Sequence, residues 1–110
     1  MDKYQKRKLF RDGVFERDNR KCKVCGKKEP TDSSFDSHLA AHHITDRNKM
    51  PNGGYVLSNG ISLCSDCHWK AEEFHMCGLS ADGYHPDDLY KIINSSYEEA
   101  RKDSENLTPV

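Results

Sequence analysis

The chain has no apolar run that approaches the length of a bilayer span. Its opening stretch, MDKYQKRKLF, lacks the apolar segment of a secretory leader. No membrane role is expected, and the cytoplasm is the expected compartment. In that reducing setting paired cysteines mean metal more often than disulfide, and an odd total of five suits metal as well. Apolar side chains are scarce, at 35% of 110 residues against 32% charged. A core that thin usually needs a staple, either a disulfide or a metal. Internal repeats and low-complexity tracts are absent, so residues 1–110 read as one domain with little to spare. Net charge is almost nil, −1, and by itself argues nothing for a nucleic-acid partner.

The distribution of charge says more than its total. Residues 1–28 carry eleven Lys/Arg against four Asp/Glu, a balance of +7. Residues 29–110 carry six against fourteen, a balance of −8. A basic arm on an acidic body suggests one face that meets a polyanion, with Lys6, Arg7, Lys8, Arg11, Arg20 and Lys21 as its candidate contacts. The plainer alternative is a solvated helix face.

Hydrophobic spacing divides the chain into three stretches. In residues 1–21 the positions Leu9, Phe10, Val14 and Phe15 predict a helix over 4–17, with Gly13 as a weak point and Asp18-Asn19 as its end. Residues 22–77 read as the core. They comprise a tight knuckle at 22–26 (CKVCG), a loop over 27–37, a short strand within 38–44 (HLAAHHI) and a turn at Asn52-Gly53-Gly54. Strand fragments follow at Tyr55-Val56-Leu57 and Ile61-Ser62-Leu63, then a helix over about 66–75 capped by Ser65 and closed by Cys77-Gly78. Residues 78–110 predict a loop over 79–85 and one helix from Pro86. Leu89, Ile92, Ile93, Tyr97 and Ala100 would share its apolar face, and the tail from about Asp103 is expected to fray.

Two C-x-x-C pairs, Cys22/Cys25 and Cys64/Cys67, carry the strongest signal. Each turn brings residues i and i+3 together, and four thiolates close a tetrahedral zinc site of the structural kind. The second pair straddles a strand end and a helix start, where the helix dipole favours thiolate. A knuckle joined to a helix start is the layout of a treble clef. Redox chemistry or buried free thiols are the alternatives. Cys77 is left over as a small packed residue.

Between the pairs stand His42-His43-Ile44, then Asn59, then Cys64-Ser65-Asp66-Cys67-His68. From about Arg7 to His75 this resembles the HNH, or His-Me finger, nuclease family. That family's pattern is Asp-His or His-His at a strand end, a loop Asn, and a His at a helix start, often flanked by two C-x-x-C pairs. The resemblance implies a ββα metal site in an α+β treble clef, with helices before and after it. It also implies hydrolysis of a DNA phosphodiester to 5′-phosphate and 3′-hydroxyl ends. His43 would be the general base, Asn59 would hold the segment bearing it, and His42 and His68 would be ligands of a catalytic divalent metal. Most members have Asp at the position of His42. The colicin-type nucleases are similar to this chain in using His, which leaves Mg2+, Mn2+, Ni2+ and Zn2+ all open as the catalytic ion.

The physical chemistry runs the same way. Phosphodiester hydrolysis needs a base for water and a cation for the developing charge, and a neutral imidazole is a suitable base near pH 7. On a regular strand His42 and His43 point to opposite sides. On a helix Cys67 and His68 diverge by about 100°, so one can face the zinc and the other the cleft. Helical spacing offers Glu72 at i+4 from His68 and His75 at i+7 as a third ligand. Glu72 is nearer, about 6 Å along the axis against about 10 Å. Glu72 can equally orient His68, and His75 can equally cap or face solvent. Asn59-Gly60 can be an ordinary turn, and Gly60 stands where the family often has an apolar residue. Arg47 and Lys49 can meet phosphate in the loop after the base, while His38 and His85 read as polar loop residues. Two rival functions remain at this point, a non-catalytic zinc module that binds nucleic acid and a nuclease directed at RNA.

Overall fold

The computed structural model describes residues 2–27 and 39–107. Residues 28–37 of the loop expected over 27–37, together with His38, lie outside the described residues.

Helix α1 spans Lys3–Arg17. Asp2 starts it with a reciprocal box: its carboxylate accepts from Gln5 N–H at 2.8 Å, and Gln5 Oε1 accepts from Asp2 N–H at 3.1 Å. Phe10, Val14 and Phe15 form its buried face. Asp18 ends it and does a second job. Its buried carboxylate takes both arms of the Arg17 guanidinium (2.8 and 2.9 Å) and the Ser62 N–H (2.9 Å). Arg17 also donates to the carbonyls of Leu57 and Gly60. One cation of the basic arm is therefore spent in pinning α1 to the centre of the molecule.

The knuckle at residues 22–26 follows, closed by Gly26 N–H donating to Cys22 O at 2.9 Å. Strand β1 is Ala40–His43, and β2 is Gly60–Leu63. They pair antiparallel with His42 opposite Ile61 and His43 opposite Gly60. Helix α2, Ser65–Cys77, leaves directly from β2. Knuckle, two-stranded sheet and helix make the expected α+β treble clef with its ββα unit. Ser65 is the first residue inside α2 and not its cap; Cys64 occupies the extended cap position, because it still belongs to the strand end. Gly78 ends α2 in the left-handed region (φ 77°), as its lack of a side chain allows.

Three expectations are corrected. Tyr55-Val56-Leu57 is not a strand. Asn52, Gly53 and Gly54 all have positive φ, which reverses the chain sharply, and residues 57–59 then form a 3-10 turn. The single C-terminal helix is two, α3 at Pro86–Ile92 and α4 at Tyr97–Glu105. Asn94 turns left-handed (φ 57°) between them, and the Ser96 hydroxyl starts α4 by accepting from Glu99 N–H. Asp103 does not begin a frayed tail, since α4 continues to Glu105 with Ser104 fully buried.

One cluster of buried side chains runs from Cys22 through Ile44, Ile61 and Leu63 to Leu89, Tyr90 and Ala100. Three of its members, Cys22, Cys64 and Cys67, are thiols of the two C-x-x-C pairs. No helix among the described residues is long and apolar enough to cross a membrane.

Candidate active site

The four cysteines Cys22, Cys25, Cys64 and Cys67 converge, with their sulfur atoms all within 4.8 Å of one another and none in a disulfide. Cys25 Sγ and Cys64 Sγ are 3.6 Å apart, near the edge of about 3.8 Å of a tetrahedron with zinc–sulfur bonds of about 2.3 Å. Burial pushes the Cys22 thiol up, but backbone N–H groups of Cys25, Cys64 and Val24 outweigh it and bring it down to about 7. The Tyr84 hydroxyl donates to Cys67 Sγ at 3.2 Å. Spacing, donor type and hydrogen-bonded sulfurs fit a zinc ion. Cys77 is exposed on the last turn of α2 and takes no part, so it is not the packed residue expected.

Separately, β1 and α2 bring three histidines and a carboxylate together. His42 is almost fully buried and points at α2; its Nδ1 is 3.2 Å from Glu72 Oε1. His68 Nε2 is also 3.2 Å from Glu72 Oε1. The His75 ring stacks on His42 at 5.1 Å, and its Nε2 donates to the His43 carbonyl at 2.8 Å, which leaves Nδ1 with the lone pair. The ligand atoms that all lie within 4.8 Å of one another belong to His42, Glu72 and His75. Axial distance along α2 underrates His75, because helical side chains lean toward the N-terminus and its ring reaches back over the strand. The His42 contact, the stronger influence, outweighs burial and holds Glu72 down at about 2, so the carboxylate is ionised. Burial pushes His42 down, keeping it neutral. Imidazoles gathered around a carboxylate form a donor set that fits a divalent cation.

His43 faces away from that cluster, as alternation along the strand requires. Phe10 stacks on its ring at 4.4 Å, and Tyr55 meets it edge-on at 4.9 Å. Its Nε2 is buried with no hydrogen-bond partner among the described residues. Burial, with the Arg47 charge behind it, pushes His43 down to about 4. The ring lines a cleft of about 510 Å3 whose walls also include Arg7, Lys8, Arg11, Arg47, Tyr55 and Glu72. A neutral imidazole therefore borders a cleft with four cations.

Asn59 is fully buried behind this strand. Its Oδ1 accepts from Thr45 N–H (3.0 Å) and from the Tyr90 hydroxyl (2.7 Å). Its Nδ2 donates to the carbonyls of Thr45 (3.1 Å) and Gly54 (3.2 Å), and its own carbonyl accepts from Ile44 N–H. Both polar atoms of the side chain are used to tie together the segment after His43, the turn at Gly54 and α3.

A family model described as HNH endonuclease matches residues 22–74. Residues 22–74 form an HNH endonuclease domain. No curated protein and no solved structure matches it. HNH membership implies a nuclease-type enzyme, and the matched stretch contains both cysteine pairs, His42, His43, Asn59, His68 and Glu72.

The departure at Gly60 has a local cause in this HNH chain. A Cβ on Gly60 would lie 2.5 Å from Val14 Cγ2 and 2.8 Å from the Phe10 ring. The missing side chain admits α1, and Phe10 then covers His43. Among the expected nucleic-acid contacts, Lys8 and Arg11 line the cleft, Arg7 and Arg47 line it and a neighbouring groove, and Lys6 lines that groove alone. Arg20, Lys21 and Lys49 line neither. His85 starts α3, its Nδ1 accepting from Asp87 N–H. Tyr55 and Tyr90 are the site residues that sequence reasoning passed over. Both are single aromatics in unremarkable contexts: Tyr55 falls in an expected strand fragment, and Tyr90 lies outside the apolar face expected of the C-terminal helix.

Proposed function

We propose that this chain hydrolyses DNA phosphodiester bonds, with His43 as the general base. The observation that carries the reading is the neutral His43 ring, its buried Nε2 without a hydrogen-bond partner among the described residues, at the wall of a cationic cleft that also contains Glu72. The imidazole is neutral at neutral pH, so one of its nitrogens can accept a proton from an attacking water without the ring first losing one. A value near 4 makes it a weak base in the free protein. A bound phosphodiester brings negative charge beside it and raises it toward the useful range. Arg7 and Arg47 are positioned to hold the phosphate, and Asn59 holds the His43 strand in register through Thr45 and Ile44.

A divalent cation bound opposite His43 would stabilise the charge that builds on the phosphate and on the leaving oxygen. His42 and Glu72 are the residues to hold it, with His68 as the third ligand by family resemblance. His75 is the second candidate, favoured by its place in the mutually close set. The four-cysteine cluster holds a zinc that serves the fold.

The test is plasmid cleavage in the presence of Mg2+, Mn2+, Ni2+ or Zn2+, with an RNA of similar length in parallel. Wild-type protein should nick or cut the plasmid, and His43→Ala should lose at least a hundredfold in rate while keeping its fold and metal content. kcat/KM, which reports the free protein, should show no His43 inflection between pH 6 and 8, since the base is already unprotonated there. Cleavage by His43→Ala near the wild-type rate removes His43 from the mechanism, and cleavage of RNA alone replaces DNA as the substrate.

A further inference from the structure

A second groove, of about 560 Å3, lies on the far side of Tyr55 from the cleft. Its walls carry Lys3, Lys6, Arg7 and Arg47, with Asn48 and Asn52 beside them, and no carboxylate among the described residues. That is an unusual allocation in a chain with 18 acidic residues and a net charge of −1. Four cations around one cavity repel each other, and the arrangement is relieved by an anion from outside.

Lys6 makes the point sharper. It is only 8% exposed, and lysine is seldom buried that far without an ionic partner. Among the described residues its ammonium has the Tyr55 ring, 5.8 Å from the centroid, and no carboxylate. A ring face is a poor replacement for the hydration that a buried ammonium loses. The Tyr55 hydroxyl meanwhile accepts from Arg7 Nε and from Arg47 Nη1, each at 3.4 Å. Tethered to one oxygen, the two guanidiniums front both grooves.

We infer that this second groove is a phosphodiester subsite, in which Lys6 binds the phosphate next to the one presented to His43. The inference rests on the nuclease reading for which phosphate lies in the cleft, and it adds a separate binding site on the same strand. A substrate with one phosphodiester fills the cleft alone. A substrate with two gains the second groove as well.

The test is binding of thymidine dinucleotide and trinucleotide, which hold one and two phosphodiesters, measured by calorimetry without added divalent metal. Wild-type protein should bind the trinucleotide about tenfold more tightly. Lys6→Met keeps the length and buried stem of the side chain and should lose most of that increment. Lys6→Arg should keep it, and Lys3→Gln on the groove edge should reduce it. On a DNA duplex, Lys6→Met should lower the salt slope by about 0.9, as expected for one lost phosphate contact, whereas Lys91→Met, on α3 and outside both grooves, should leave it unchanged. Equal increments in wild type and Lys6→Met, or no increment in the wild type, overturn the subsite. Plasmid cleavage reports separately on the nuclease reading. A protein that cuts but shows no increment loses the subsite, and one that shows the increment but never cuts loses the reaction and keeps the subsite.

Discussion

Replacing Tyr90 with phenylalanine deletes one oxygen from the interior and leaves the ring in place. That oxygen donates to Asn59 Oδ1 at 2.7 Å and lies 2.6 Å from Thr45 Oγ1. Tyr90 is 3% exposed, so water does not readily replace the lost partner. Asn59 Oδ1 keeps its second donor, the Thr45 N–H at 3.0 Å, and is not orphaned. The Thr45 hydroxyl loses its partner. One buried hydrogen bond removed, with one hydroxyl left unsatisfied, costs about 1–3 kcal/mol. Because Asn59 is only half deprived, we expect about 1.5 kcal/mol, or a fall of roughly 6–12 °C in Tm for a chain of this size. Thermal unfolding of the zinc-loaded protein measures it, with Tyr97→Phe as control. Tyr97 is 40% exposed and should change stability by less than about 0.5 kcal/mol. Because Thr45 lies two residues from His43, Tyr90→Phe should also lower kcat more than it raises KM, and the pH profile should keep its shape. If the two variants melt together, the Tyr90–Asn59–Thr45 network does not hold the strand and the role given to α3 is wrong.

Further outcomes follow from the other contacts. One tightly held zinc per chain is expected by mass spectrometry, and Cys22→Ser or a strong chelator should abolish cooperative unfolding, because three of the buried core side chains are ligands of that cluster. Gly60→Ala should destabilise by about 1–3 kcal/mol, since the new Cβ meets Val14 at 2.5 Å and Phe10 at 2.8 Å; denaturant unfolding measures it, and a neutral result would mean that α1 is loosely docked. Calorimetric titration of the catalytic metal into His68→Ala and His75→Ala decides the third ligand, with the true ligand losing at least about tenfold in affinity, the loss typical of even an indirect partner of the ion.

The elements carrying the chemistry were legible because each rests on local spacing. C-x-x-C, the alternation of His42 and His43, and the strand-to-helix step at Cys64 depend on residues close in sequence. Failures came where a distant contact decides the local form. Tyr55-Val56-Leu57 is a short β-prone apolar run, yet three positive φ values before it turn the backbone away. The face from Leu89 to Ala100 keeps helical period across the break at Asn94, because α3 and α4 both pack on the same core. His75 looked too far from His68 along the helix axis. His42 reaches α2 from the strand and supplies the centre around which the other rings gather, and no helical spacing could reveal a partner supplied by β1.

The residues beyond the family match bear on why this small active site holds together. The ββα unit has two strands of four residues, which offer few hydrogen bonds to fix a register. The C-terminal helices compensate at the loops instead of at the sheet. Asn52 Nδ2 donates to the carbonyls of Ser104 and Leu107 at the end of α4. Ser104 Oγ donates to the Pro51 carbonyl and accepts from Gly54 N–H. Ser58 is held by Asp103 through its hydroxyl and by Ser95 through its carbonyl. Those contacts all fall on residues 51–58, just ahead of Asn59 in sequence, and Tyr90 reaches Asn59 directly. The segment from residue 86 to residue 107 thus acts on the loops that hold Asn59. Asn59 in turn holds Thr45 and Ile44, the two residues that follow His43.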